Sequence, residues 1–240
     1  MIALGFLASI PVATKLAQKR GTDPDQFLNA LIVSFMGGIV GARLYFVALN
    51  LPEFLQHPES ILMTWLGGMS IHGGIIGGII AGGIYTKIAK MPFLSSCDII
   101  GTVLPLGQAI GRWGNFFNSE AFGRPVPEDF PLKLFIPFTS RPEQYANTEY
   151  FHPTFLYESI WDLGIFFLLY FFLFDKLKAY PGMTFLAYLA LYSIGRMMVE
   201  SLRLDSIMFG SIQAPYLVSA IILAISVLAI LGQYLRRKHS

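Results

Sequence analysis

The stretch Gln213-Ala-Pro-Tyr-Leu-Val-Ser-Ala-Ile-Ile-Leu-Ala-Ile-Ser-Val-Leu-Ala-Ile-Leu-Gly-Gln-Tyr234 contains no acidic or basic side chain. At about 1.5 Å per helical residue it is long enough to cross the roughly 30 Å hydrocarbon layer of a bilayer, where a helix satisfies its own backbone. Comparable apolar stretches lie near 27–48, 62–86, 93–112, 157–174 and 183–200, and a shorter run from Met1 to Ala13 precedes Lys15. The expected fold class is therefore all-α. It is a polytopic integral membrane protein of about seven transmembrane helices, the first one short or truncated. Residues 1–240 form a single domain with one large extracytoplasmic loop at 119–156, a stretch rich in Pro, charge and aromatics.

Composition agrees. Of the 240 residues, 54% are hydrophobic and only 13% charged, with a mean hydropathy of +0.57, which excludes an ordinary water-soluble fold. The net charge of +2 and the lack of basic runs interleaved with aromatics argue against nucleic-acid binding. The single Cys97 excludes an internal disulfide and reads as a packing residue, and no Cys/His cluster has metal-ligand spacing. No basic segment precedes the opening apolar run and no small-residue cleavage site follows it, so it reads as a partial first helix rather than a removable signal peptide. Pro92 and Pro181-Gly182 mark loops, while Pro105 interrupts an apolar segment and predicts a kink.

Lys15, Lys19 and Arg20, then Lys87 and Lys90, then Lys176 and Lys178, and finally Arg236, Arg237 and Lys238 fall on alternate connections. Positive charge is retained on the cytoplasmic side, so the C-terminus is expected there, with the N-terminus and the 119–156 loop outward.

Ionisable residues inside apolar spans are costly, by about 2.5–3.5 kcal/mol on insertion scales, and each asks for a partner or a purpose. On the expected topology Arg43, Tyr45, Arg112, Tyr157, Arg196 and Glu200 lie toward the outer ends of their helices, with His72 deeper, near mid-membrane. Their gathering in one half of the bilayer points to a site entered from that side. Tyr192, Arg196, Glu200 and Arg203 are spaced by four, four and three, which predicts one stripe facing one pocket. An Arg196–Glu200 pair alone would only neutralise itself, but two more polar members on the stripe favour a functional face.

The segment Gly111-Arg112-Trp113-Gly114-Asn115-Phe116-Phe117-Asn118-Ser119-Glu120 closes a helix with glycines, a guanidinium fork suited to phosphodiester oxygens, two amides and a carboxylate. His72 stands in Gly67-Gly68-Met69-Ser70-Ile71-His72-Gly73-Gly74. Gly74, Gly78 and Gly82, like Gly37 and Gly41, read as helix-packing notches. Taken alone, His72 is equally a hydrogen-bonded core histidine or, beside a nucleophile in a dry site, a general base.

Three separated motifs in order, His72 in its glycine-rich setting, Gly111 to Glu120, and Tyr192/Arg196/Glu200/Arg203, resemble bacterial prolipoprotein diacylglyceryl transferases. His152-Pro153-Thr154 and Tyr157-Glu158 also match that family's run before its fifth helix, so the resemblance covers nearly the whole chain. It implies an enzyme of the bacterial plasma membrane that moves the diacylglyceryl group of phosphatidylglycerol onto the lipobox cysteine of a preprolipoprotein signal peptide, releases glycerol phosphate and needs no cofactor. Carried over, Arg112 and Arg196 would hold the phosphate; Asn115, Asn118, Glu120, Tyr192 and Glu200 would shape the headgroup site; Arg203 would support its entrance; and His72 would be the candidate base. The family's first helix opens on an aromatic Trp-Tyr-Gly element, and the present sequence starts just beyond the place where that element would lie. The rival class is a transporter, since intramembrane arginines and a histidine also serve anion or proton paths. Against it, the polar residues gather toward one face and no internal symmetry is visible.

Overall fold

The computed structural model describes residues 1–210 and 212–238, with the side chains of 236–238 excepted, so the basic group Arg236, Arg237 and Lys238 lies outside the described side chains. The chain is mainly helical. Helices α1 (Ile2–Lys19), α2 (Pro24–Leu49), α3 (Leu51–Gln56), α4 (Ile71–Ile88), α5 (Phe93–Gly111) and α6 (Trp113–Asn118) lead to the large loop. After it come α7 (Thr154–Phe167), running through a π-helical turn at Leu168–Leu173 into α8 (Phe174–Lys176), then α9 (Met183–Glu200) and α10 (Ala214–Lys238). Among the described residues five helices are long and apolar enough to cross a membrane: Pro24–Leu49, Ile71–Ile88, Phe93–Asn118, Thr154–Lys176 and Ala214–Leu235. Helices α1 and α9, 18 residues each, match α4 in length but are not among these five. The chain is a multi-pass membrane protein.

It folds as two compact units, one made of 1–12 with 97–240 and the other of 13–96. In the second unit α2 and α4 lie backbone to backbone. A Cβ on Gly41 would stand 2.5 Å from the Gly73 carbonyl oxygen and 2.8 Å from the Gly77 Cα, and one on Gly77 would overlap the Gly37 carbonyl. The small residues expected to be notches are thus the seam itself, because in lipid such close approach replaces the hydrophobic drive that holds helices together in water. Gly78 and Gly82 extend it against Ser34.

The expected span 62–86 starts later than predicted. Residues 58–66 form two short 3₁₀ turns, and Gly67 and Gly68 adopt φ of +91° and +76°, which breaks the helix before α4 begins at Ile71. Arg43 fastens this break by donating to the carbonyls of Ser60, Ile61, Gly67 and Gly68. His72 is consequently the second residue of α4 and exposed, at a helix end rather than near mid-membrane.

In the first unit, α7 is fixed between its neighbours by specific devices. The Ser159 hydroxyl donates to the Ala109 carbonyl of α5 at 2.9 Å, and the Trp161 indole N–H donates to the Leu191 carbonyl of α9 at 3.0 Å. Gly195 leaves room for that indole, which a Cβ would strike. Asp98 of α5, fully buried, accepts the backbone N–H groups of Gly182 and Phe185 at 2.9 and 3.0 Å, satisfying donors at the start of α9 that its own helix leaves free. Ile165, Leu169 and Tyr188 form the apolar centre of the α7/α9 contact. The 119–156 loop carries a small core of its own, Phe122, Ile136 and Phe151, under the antiparallel pair β1 (Leu134–Phe135) and β2 (Tyr150–Phe151). A second short pair, β3 (Met208–Phe209) and β4 (Ile212–Gln213), leads into α10.

The seam makes a direct prediction. Gly77→Leu forces backbone apart and should cost about 1–3 kcal/mol or more, lowering the thermal midpoint of the detergent-solubilised protein. Gly83→Ala, at a helical position with nothing within 4 Å of its added Cβ, should not lower that midpoint.

Candidate active site

Three elements of the first unit bring five charged side chains together. Arg112 caps α6 at its junction with α5, Glu158 and Asp162 lie one turn apart on α7, and Arg196 and Glu200 lie one turn apart on α9. The Arg112 Nε donates to Glu158 Oε2 at 2.7 Å, and the Arg196 Nη1 donates to Glu158 Oε1 at 2.6 Å, so one carboxylate bridges two guanidiniums. The second Arg196 Nη pairs with Glu200, and Asp162 Oδ2 lies 4.0 Å from Arg112 Nε. Glu158 and Asp162 are 5% and 3% exposed by side chain, against 19% and 15% for Arg112 and Arg196, so the guanidiniums form the accessible side of the cluster. With Trp161, Tyr192 and Gly195 they line a cavity whose room for a water-sized sphere is about 10 Å³, on the order of one water. In surroundings this poor in water each ion pair is strong and each unpaired charge expensive, which suits the cluster to holding a singly charged, two-oxygen anion.

Of the residues singled out from the sequence, Arg112, Tyr192, Arg196 and Glu200 are brought together here. Arg203 is not on their helical stripe, because α9 ends at Glu200; it makes a two-pronged pair with Asp205 at 3.0 and 2.9 Å. Burial works against its charge, yet Asp205, Glu158 and Glu200 together hold its guanidinium above the ordinary arginine value. Backbone pairing of 123–124 with 202–203 ties this turn to the large loop. Asn115 and Asn118 lie on the short α6, where Asn118 donates to Glu120 at 3.1 Å at an exposed end. His72 belongs to the other unit, its ring 6.3 Å from that of Tyr45. His152 Nδ1 is 3.1 Å from the Tyr157 hydroxyl, and burial lowers its pKa, which favours a neutral ring.

Glu158 as the common partner of both arginines, and Asp162 beside it, are additions to the site. The signal was present: two carboxylates four residues apart inside an apolar span are as anomalous as Arg196 and Glu200.

Against known proteins, a family model described as prolipoprotein diacylglyceryl transferase matches residues 1–232. The chain belongs to the prolipoprotein diacylglyceryl transferase family. Relatives named phosphatidylglycerol–prolipoprotein diacylglyceryl transferase include those of Trichormus variabilis, 44% identical over 99% of this chain and 85% of the relative, and Thermotoga maritima, 45% identical over 93% and 75%. That of Synechocystis is 42% identical over 100% of this chain and 85% of the relative. Membership makes the chain a membrane enzyme that transfers diacylglyceryl groups.

Removing the bridge should expose its importance. Glu158→Ala leaves Arg112 and Arg196 without their shared partner and should destabilise by about 3–5 kcal/mol, while Glu158→Gln, which keeps an oxygen acceptor, should lose less. Thermal unfolding in detergent measures both.

Proposed function

We propose that the chain moves the diacylglyceryl group of phosphatidylglycerol to the thiol of the lipobox cysteine in a preprolipoprotein signal peptide, with glycerol phosphate as leaving group. The observation that carries this reading is the double clamp: two guanidiniums aimed at the two oxygens of one carboxylate would meet the two free oxygens of a phosphodiester in the same way.

In the reaction the substrate thiol loses its proton, and the thiolate attacks the glyceryl carbon that bears the phosphate ester. The carbon–oxygen bond breaks, and negative charge moves to the phosphate, where Arg112 and Arg196 stabilise it more strongly than in the starting diester. Tyr192 and Glu200 shape the arginine side of this site. Asn115, Asn118 and Glu120, on α6 and the turn after it, orient the glycerol headgroup, and Arg203 supports the entrance. His72 is a candidate acceptor of the thiol proton. The enzyme works in the bacterial plasma membrane, with its N-terminus and 119–156 loop outward and its C-terminus in the cytoplasm, so that the site meets lipid and signal peptide within the bilayer.

The test is transfer of labelled diacylglyceryl from phosphatidylglycerol to a lipobox peptide by the purified protein. Arg112→Ala should lower the rate by about 10²–10³-fold, and serve as the control with a peptide whose cysteine is replaced by serine, which should accept nothing. Absence of transfer by the wild type would refute the reading. His72→Asn separates one role within it: loss of transfer with normal folding supports the base, and a near-normal rate removes it.

A further inference from the structure

The charged cluster does not balance. Arg112 and Arg196 contribute two positive charges and Glu158, Asp162 and Glu200 three negative ones, while the adjoining Arg203 and Asp205 cancel each other. The three carboxylates are unequally held. Glu158 accepts from both guanidiniums, and Glu200 pairs with Arg196 and also accepts the Ser206 hydroxyl at 2.6 Å. Asp162 has its nearest guanidinium nitrogen 4.0 Å away, and its Oδ2, buried beside the cavity, has no hydrogen-bond partner. The titratable and charged groups facing it are Glu158 on its own helix, Arg112 from the α5–α6 junction, and Tyr188, Tyr192 and Arg196 from α9.

An incoming phosphodiester brings one more negative charge into this space. With all three carboxylates ionised, the site would then hold two uncompensated anions in surroundings that screen them poorly. The least expensive relief is a proton on the carboxylate with the fewest donors, which is Asp162. Resting on the function proposed above, we infer that Asp162 takes up one proton from solution when a phosphatidylglycerol headgroup binds between Arg112 and Arg196. Asp162 is thus a positioning residue, which sets the charge of the clamp without touching the reacting carbon. Headgroup affinity should then fall by up to about tenfold per pH unit wherever free Asp162 is ionised, because each binding event must draw a proton from solution.

The experiment is calorimetric titration of the full-length protein in detergent with phosphatidylglycerol-containing micelles, in buffers of differing ionisation heat, above neutral pH. Wild type should take up about one proton per headgroup bound, and Asp162→Glu should do the same. Asp162→Asn, neutral at every pH, should take up none and should bind at least as tightly as wild type. Uptake by Asp162→Asn equal to that of wild type, or binding by wild type with no uptake, overturns the inference. A weakening of Asp162→Asn that is the same at every pH also overturns it, since that marks a merely structural carboxylate. A wild type that binds no phosphatidylglycerol removes the functional reading, which the transfer assay detects separately, and this inference with it.

Discussion

Two guanidiniums meeting on one buried carboxylate is the constraint around which the first unit is organised. Arg112, Glu158 and Arg196 come from the α5–α6 junction, α7 and α9, so the pairing distances of 2.7 and 2.6 Å are held only if all three elements keep their spacing. The hydrogen bonds from Ser159 to α5 and from Trp161 to α9 hold α7 from both sides within a turn of Glu158. Gly195, directly before Arg196, lets the Trp161 ring close the gap. Asp98 performs the corresponding task at the far end of α9, binding its first amides to α5. Buried ion pairs rarely stabilise a fold more than apolar packing of the same volume would. This expenditure of packing on charge is therefore better explained by what the charges do than by stability.

The same geometry governs how the site can be used. A carboxylate and a phosphodiester each carry one negative charge shared over two oxygens, so a phosphate can replace Glu158 between the arginines without changing the sign or the shape of what they hold. With space of about one water, the cluster is closed on its own acid. On the proposed reading binding is an exchange of anions, in which the desolvation of the guanidiniums has already been met by folding. The displaced carboxylate stays nearby, and the charge it leaves in the site is the reason a proton has to be accounted for.

The sequence was most legible where a rule is local. Apolar length locates α2, α5, α7, α9 and α10, and the four-residue spacing of Arg196 and Glu200 pairs them, because both lie on one helix. It was least legible where the partner is remote. Nothing about Glu158 in the chain says that its two oxygens face residues 46 positions before and 38 after it. Spacing alone puts Arg203 on the α9 stripe, but the helix stops at Glu200 and the backbone turns to pair with the large loop. His72 falls at the start of α4 rather than inside a longer helix for a related reason. The apolar run from 62 has the composition of a helix, and only the left-handed conformations at Gly67 and Gly68, fixed by a remote arginine, show that the helix begins later.

That arginine separates two uses of intramembrane charge that the sequence presents as one. Arg43 is 8% exposed and is satisfied by four backbone carbonyls. These dipoles have no net charge to give up, and they belong to a chain segment that folds around the guanidinium. A ligand that claimed Arg43 would have to unmake the 60–68 turns, so its charge is locked into structure. Arg112 and Arg196 are held instead by side-chain carboxylates, which can yield to another anion by rotation about a few bonds while the helices stay where they are. Exchangeable pairing requires a charged partner on a flexible side chain, whereas permanent pairing is better made with backbone. By that criterion Arg112 and Arg196 are the arginines suited to the binding role proposed above, and Arg43 is built to fold.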